Sequence, residues 1–377
     1  MQISKLIRLS PCAALALAAA CNKDATGPAS LSNPQATIAA VAALDSAFGS
    51  PVLASFGILS GSIGSTAATT ALARAGTIVQ STLPRPAGVG MSAEAAAVRR
   101  LSGLRSLAVA PTSPQGPVIP DTLYGSVYTY DTLSASYTRS ATTGGPANGV
   151  RFILYAINPL TGGVSTPLAP VGRADLLDES AGLTAKLHII VSGNGGTPTY
   201  LDYTAGLTFG ASTVTATLTG SLTNALPGGG NKTLTFSVTA NFTTTVITVH
   251  ATYTLNNPAV TIVLDATDKQ VLPTDSVTVV FSFTRQGETV GFSGLLVTTN
   301  SAVDTVSAAI KVNGQPYASI KGNNLGVTFY DSNGDPITDT THQHDILVAL
   351  EGIQFAVVLV IDFTAALFGP IVNLLGG

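Results

Sequence analysis

The sequence has no tryptophan and is poor in both charge and cysteine. Only 10% of its 377 residues are charged, against about a quarter in an average soluble protein, and the formal net charge is −3. Lysine and arginine do not cluster with interleaved aromatic residues, so the composition does not favour a nucleic-acid partner. The length allows a substantial core in one large β domain or in two domains.

The two cysteines, Cys12 and Cys21, both lie near the start of the sequence. The basic residues Lys5 and Arg8 precede an apolar stretch that runs up to small residues, which is the pattern of a secretory signal peptide over residues 1–20. Removal of this segment leaves one cysteine, and a single cysteine cannot form an internal disulfide. The pattern therefore predicts an exported protein without an internal disulfide.

The stretch Ala18-Ala19-Ala20-Cys21 resembles the lipobox of bacterial lipoproteins, although Ala18 stands where that family usually has leucine. The resemblance implies that Cys21 becomes the lipidated N-terminus, attached to the cell envelope through a flexible tether over residues 21–35. Asn22 follows where an inner-membrane retention signal typically has aspartate, which favours the outer membrane by analogy. An ordinary secreted protein that is cleaved nearby is the alternative.

Sequence motifs for catalysis are lacking. The chain contains no nucleophile elbow, phosphate-binding loop, zinc-protease helix or paired CxxC motif. We therefore expect a protein that is not an enzyme, with no catalytic residue, no bound metal and no cofactor. A catalytic triad dispersed along the sequence is the alternative.

Four histidines and one acidic segment are the candidates for a metal site. His342 and His344 point the same way if the chain is extended, but two ligands are too few for a zinc site. His188 and His250 fall in predicted strands, where we expect structural or solvent-facing roles. The segment 331–336, Asp-Ser-Asn-Gly-Asp-Pro, begins like a calcium loop, but its proline stands where such a loop needs glycine. We expect a hairpin turn there.

The strongest structural signal is an alternation between apolar residues and threonine or serine from Ser212 to Thr284. Successive side chains of a strand point to opposite faces, so this period of two predicts strands with one buried face. Threonine and valine also suit a pleated surface. The apolar positions are Val214, Ala216, Leu218, Leu234, Phe236, Val238, Ala240, Phe242, Ile247, Val249, Ala251, Tyr253, Val260, Ile262, Leu264, Val277, Val279, Phe281 and Phe283.

Turn signals recur throughout residues 121–340, and several are two-residue pairs such as Gln286-Gly287 and Asn313-Gly314. With a dozen or more strands and no helical pattern between them, the segment predicts an antiparallel meander. The expected fold class is α+β, mainly β. It consists of a large antiparallel meander sheet, curved toward a half-barrel, packed against N-terminal helices and an apolar C-terminal helix.

The Ala-rich segment 36–110 predicts short helices, since Pro51 and Gly57 are among the residues expected to interrupt longer ones. Four prolines make residues 111–120 a linker to the sheet domain. Residues 341–377 form an apolar segment that we expect to pack on the sheet.

Within that apolar segment, residues 345–375 predict a helix, although the run Phe355–Ile361 also suits a buried strand. The length would allow a membrane span, but Glu351 and Asp362 lie inside the segment. A helix that is apolar all round is usually buried in protein, which is the expectation here.

A broad sheet with one apolar face needs a cover, and incomplete cover leaves room for an apolar ligand. The expected function is therefore a lipoprotein that binds or carries a lipid or another hydrophobic molecule. The architecture is similar to half-barrel lipoproteins that move lipids or lipoproteins across bacterial envelopes. The alternative is a structural or adhesive surface protein with a fully packed core that acts through its loops and an aromatic strip. That strip, which could equally cover a sheet edge, consists of Tyr124, Tyr128, Tyr130 and Tyr137.

Overall fold

A computed structural model describes nine parts of the chain, and they contain a single sheet of fifteen strands. The described residues are 50–62, 116–225, 230–271, 273–299, 302–323, 326–339, 360–361, 363–372 and 374–375. The strands are β1 (Ser126–Asp131), β2 (Ser136–Thr143), β3 (Gly149–Tyr155), β4 (Pro170–Asp178), β5 (Thr184–Gly193), β6 (Thr199–Phe209), β7 (Val214–Thr223), β8 (Thr233–Phe242), β9 (Val246–Asn256), β10 (Ala259–Val271), β11 (Thr274–Arg285), β12 (Glu288–Thr299), β13 (Ala302–Val312), β14 (Gln315–Asn323) and β15 (Gly326–Tyr330).

The sheet is a meander from β3 to β15, in which every strand pairs antiparallel with the next strand of the chain. Its other end departs from the predicted antiparallel order. Strand β1 lies between β2 and β3 and pairs parallel with β3, so the sheet is mixed at this point. The sheet remains open, with β2 and β15 as its two edges. The predicted class, α+β and mainly β with a large curved meander sheet, is confirmed.

The predicted alternation is confirmed strand by strand. In β8 and β9 the apolar side chains are buried on one face, and the threonines and serines between them are exposed or half-buried on the other. We call the apolar side the inner face and the threonine-rich side the outer face. Because the pairing keeps inward residues opposite one another, they form rows across the sheet.

Two-residue hairpins hold this register, as the sequence predicts. Gln286 and Gly287 connect β11 to β12 with φ values of 49° and 82°, and Asn313 and Gly314 connect β13 to β14 with 52° and 79°. Positive φ at both central residues defines the type I′ turn, whose twist matches that of the strands it joins.

The first described helix, α1 (Pro51–Ser62), packs against strands β2 to β6. Ser50 caps it, since its hydroxyl accepts the amide hydrogen of Val52 at 3.2 Å. Short helices were expected here, and α1 has 12 residues. The expectation that Gly57 interrupts a helix is wrong. Pro51 lies at the first helical position, where no partner for its nitrogen is needed, and Gly57 is buried inside the helix.

The second described helix, α2, comprises residues 360–361, 363–372 and 374–375. The helix predicted for 345–375 is confirmed in this part, and residues 345–359 and Asp362 lie outside the described residues. Most of the described α2 side chains are buried, among them the apolar residues Val360, Ile361, Phe363, Ala366, Leu367, Phe368 and Ile371. Among the described residues, no helix combines the length and the hydropathy that a membrane crossing requires.

Candidate functional site

The centre of the inner face is a row of aromatic side chains against which α2 packs. Tyr203 of β6, Phe236 of β8 and Tyr253 of β9 belong to this row, and Gly220 of β7 lies between the first two. A side chain at Gly220 would overlap Tyr203, so glycine lets the neighbouring rings approach. Phe363 of α2 meets Phe236 edge-to-face, with ring centroids 5.4 Å apart.

Both buried tyrosines of this row form hydrogen bonds with α2. The hydroxyl of Tyr203 donates to the carbonyl of Leu367 at 3.1 Å. The hydroxyl of Tyr253 contacts Thr364 Oγ1, which itself donates to the carbonyl of Val360 at 2.8 Å. The helix thus satisfies the polar groups in the centre of the apolar face.

Burial raises the pKa of both Tyr203 and Tyr253 above the ordinary value of 10. The loss of hydration is the main cause, and for Tyr253 the hydrogen bond with Thr364 partly opposes the rise. Both hydroxyls are consequently neutral hydrogen-bond donors over the physiological pH range.

Charged side chains also point to the inner face near the ends of several strands. Asp268 follows Leu264 and Ala266 at intervals of two in β10 and is fully buried. Arg285 and Glu288 face each other across the β11–β12 hairpin, with side chains that are 7% and 9% exposed. These residues were not predicted from the sequence, although the same period of two continues from Phe283 to Arg285 and from Ala266 to Asp268.

The aromatic strip lies at the β2 edge of the sheet, and its rings pack on one another. Tyr128 stacks on Phe152 with centroids 4.8 Å apart, and Tyr137 meets both Phe152 and Tyr130 edge-on. Tyr124, Tyr128 and Tyr137 pack against the core. Burial raises the pKa of Tyr137, so its hydroxyl stays neutral as well. These contacts support the role of an edge cover.

The two histidines predicted in strands lie on the outer face beside carboxylates. His188 contacts Asp202 at 2.7 Å and Glu179 at 3.4 Å. Glu179 also contacts Lys186 at 2.8 Å, and this hydrogen bond is the main reason why the pKa of Glu179 is lowered. These contacts place His188 in a charged network between neighbouring strands.

The second histidine, His250, contacts Asp265 at 2.7 Å on the neighbouring strand, and both side chains are more than half exposed. Within the described ranges, no three His, Cys, Asp or Glu side chains are arranged so as to hold a metal ion. His342 and His344 lie outside these ranges, as do Cys21 and Glu351.

The acidic segment 331–336 forms the predicted turn. Asp331 Oδ1 accepts the amide hydrogens of Asn333 and Asp335 at 2.8 and 2.9 Å, so this carboxylate is used to shape the loop. A bridge between Tyr330 and Pro336 brings the following chain back to β15. The alternation of Asp and Asn here belongs to an Asx-type turn.

The described residues form a mainly β protein with a wide, open sheet, and the described helices pack on the apolar side of that sheet. No protein-family model, curated protein or solved structure matches the chain. Its function is therefore inferred from its own residues.

Proposed function

We propose that the protein is a lipid-anchored envelope protein whose inner face binds a lipid or another hydrophobic molecule between the sheet and the helices. The observation that supports this proposal is the extent of the apolar rows. One row crosses ten neighbouring strands, which at about 4.8 Å per strand corresponds to about 43 Å. Its members are Leu187, Ala205, Leu218, Val238, Ala251, Leu264, Phe281, Phe292, Ile310 and Ala318, and all are buried.

The two tyrosine hydroxyls suit such a ligand. Tyr203 and Tyr253 are neutral donors in the middle of the apolar face, and an ester or acid carbonyl could accept the hydrogen bonds that α2 now accepts. Small-molecule sites commonly combine apolar walls with a few polar groups of this kind.

A second function is supported by the packing of α2 itself. Phe363 fits against Phe236, and Leu367 and Phe368 are fully buried, so the helix fills the centre of the inner face. A core filled in this way favours a structural or adhesive surface protein. It would act through its loops and through the tyrosines at the β2 edge.

Native mass spectrometry of the full-length Cys21→Ala variant, exported and purified without detergent, distinguishes the two functions. A stoichiometric apolar adduct, identified by organic extraction of the same sample, is the expected result. A folded protein with the mass of the bare chain would contradict ligand binding and favour the packed core.

The lipid anchor is tested separately by metabolic labelling with palmitate. We expect the wild-type protein to be labelled and to fractionate with membranes, because Cys21 follows a lipobox-like stretch. The Cys21→Ala variant should be unlabelled and released. Equal labelling of the two proteins would rule out acylation at this cysteine.

A further inference from the structure

One row of the inner face ends on a charged pair. The row of Leu201, Leu222, Leu234, Leu255 and Val260 continues into Arg285 and Glu288. Arg285 therefore stands beside Val260 on the apolar face, two residues along β11 from the buried Phe283. Its charge lies at the border of the apolar surface, at the end of the sheet where β11 turns into β12.

The side chain of Arg285 is more than nine-tenths buried, and within the described residues only Nη1 of its guanidinium forms a hydrogen bond. Nη1 donates to Gln286 Oε1 at 2.9 Å, whereas Nη2 lies 3.9 Å from Glu288 Oε2, which is too far for a hydrogen bond. Nε has no hydrogen-bond partner among the residues that the structure describes. A buried arginine in a folded protein normally has its donors paired, so the open Nε is a reason to look for a ligand.

The open donors lie on one edge of the guanidinium. Nε and Nη2 together form the side that holds a carboxylate or a phosphate through two parallel hydrogen bonds. Glu288 Oε2 lies near that edge, 3.9 Å from Nη2, so it balances the charge of Arg285 without a hydrogen bond to Nη2. The site thus offers a two-pronged contact for an oxyanion directly beside an apolar row.

We propose that Arg285 holds the anionic head of an amphiphilic ligand, a carboxylate or a phosphate ester, while its alkyl tail lies along the adjoining row of leucines. This inference rests on the proposed function and adds the chemical class of the ligand. In this proposal Arg285 positions the ligand, and the carboxylate of Glu288 competes with the anionic head for the guanidinium of Arg285.

Fluorescence titration of the full-length protein with parinaric acid, a fluorescent fatty acid, and with its uncharged methyl ester tests the proposal. We expect the acid to bind about tenfold more tightly than the ester, because only the acid can form charge-assisted hydrogen bonds. In Arg285→Met the acid should bind as weakly as the ester, while the affinity for the ester stays the same. The matched control Lys311→Met, which removes an exposed cation from β13, should leave both affinities unchanged.

The variant Glu288→Gln provides an independent arm if Arg285→Met does not fold. Removal of the competing carboxylate should tighten binding of the acid several-fold and leave the ester unaffected. Equal binding of acid and ester by the wild type, or no effect of Glu288→Gln, would overturn the role of Arg285 but leave the hydrophobic site intact. Failure of both probes to bind would instead contradict the proposed function.

The same titration separates an amphiphile from a free anion. Inorganic phosphate has the oxyanion but no tail, so it should not displace the bound fatty acid. Displacement by phosphate that depends on Arg285 would indicate a simple anion site and overturn the proposal for an amphiphile.

Discussion

At the residue scale, neighbouring side chains of one strand have opposite environments. Phe236 is 5% exposed and packs against Phe363, whereas Thr235 is exposed on the outer face. Aspartate in place of Phe236 would put an unpaired charge on the apolar face and leave a cavity, so we expect loss of folding. Aspartate in place of Thr235 should change the free energy of unfolding by about 0.5 kcal/mol or less.

Urea denaturation of both variants measures this contrast, and Val249→Asp provides a second inward position. Equal damage from Phe236→Asp and Thr235→Asp would mean that both faces of β8 are buried. That result would contradict the division of the sheet into an inner and an outer face.

The buried tyrosines also predict how stability depends on pH. The raised pKa of Tyr203 and of Tyr253 means that the folded protein holds the phenol proton more tightly than the unfolded chain, where the pKa is about 10. The contribution of the two tyrosines to the free energy of unfolding is therefore complete below about pH 10. It is lost as pH rises further, by up to about 1.4 kcal/mol per pH unit for each tyrosine.

Urea midpoints measured on either side of pH 10 test this dependence. The Tyr253→Phe variant should lose about 1 kcal/mol at neutral pH, because its hydrogen bond with Thr364 is gone, and should show a shallower alkaline decline. An alkaline decline as steep as that of the wild type would show that Tyr253 is not the group responsible.

At the scale of the elements, the hairpin between β11 and β12 depends on one glycine. Gly287 has a φ of 82°, a conformation that costs an ordinary L-residue about 1–2 kcal/mol, although there is open space around its Cα. We expect Gly287→Ala to lower the free energy of unfolding by that amount. Since this hairpin carries Arg285 and Glu288, the variant should also weaken binding of the fatty acid.

Gly291, four residues further along β12, is the matched control. Its φ is not positive, and the nearest atom to an added Cβ would be Lys311 Cβ at 3.9 Å. Gly291→Ala should be neutral or stabilising by up to about 1 kcal/mol, because alanine restricts the unfolded chain. Chemical denaturation should therefore show that the free energy of unfolding falls in Gly287→Ala and stays the same or rises in Gly291→Ala. An equal decrease in both variants would contradict the turn assignment.

At the scale of the whole molecule, the inner face depends on α2 for its cover. Leu367 is fully buried and its carbonyl accepts from Tyr203. A chain that ends at residue 359, or the full-length variant Leu367→Asp, should expose the centre of the sheet and aggregate. The yield of soluble protein and the binding of a hydrophobic dye measure this exposure. Val372→Asp, at a half-buried position of α2, is the control and should have a milder effect. Full solubility of the shortened chain would show that α2 is dispensable.

The sequence predicted the sheet well because a period of two is imposed on every strand by the same geometry. The inward set from Val214 to Phe283 is buried as expected. The parallel pairing of β1 with β3 could not be predicted from the alternation, because the alternation shows which face of a strand is buried and not which strand lies beside it. Arg285 was not predicted because the alternation was followed only to Thr284, whereas the same period of two extended by one residue places Arg285 inward.

Helices were harder to predict for a related reason. Residues 360–375 are apolar on almost every side, so no periodicity separates a buried helix from a buried strand. Gly57 opposes a helix by propensity, but the packing of α1 against β2 to β6 outweighs that preference.

The meander order has a consequence for how the protein is made. Each strand from β3 onward pairs with the strand synthesised just before it, so the sheet can lengthen steadily as the chain emerges. The helix that covers its middle follows all fifteen strands. The middle of the inner face therefore has no cover from α2 until residues 360–375 have been synthesised, and we expect the need for a chaperone to be greatest during that interval.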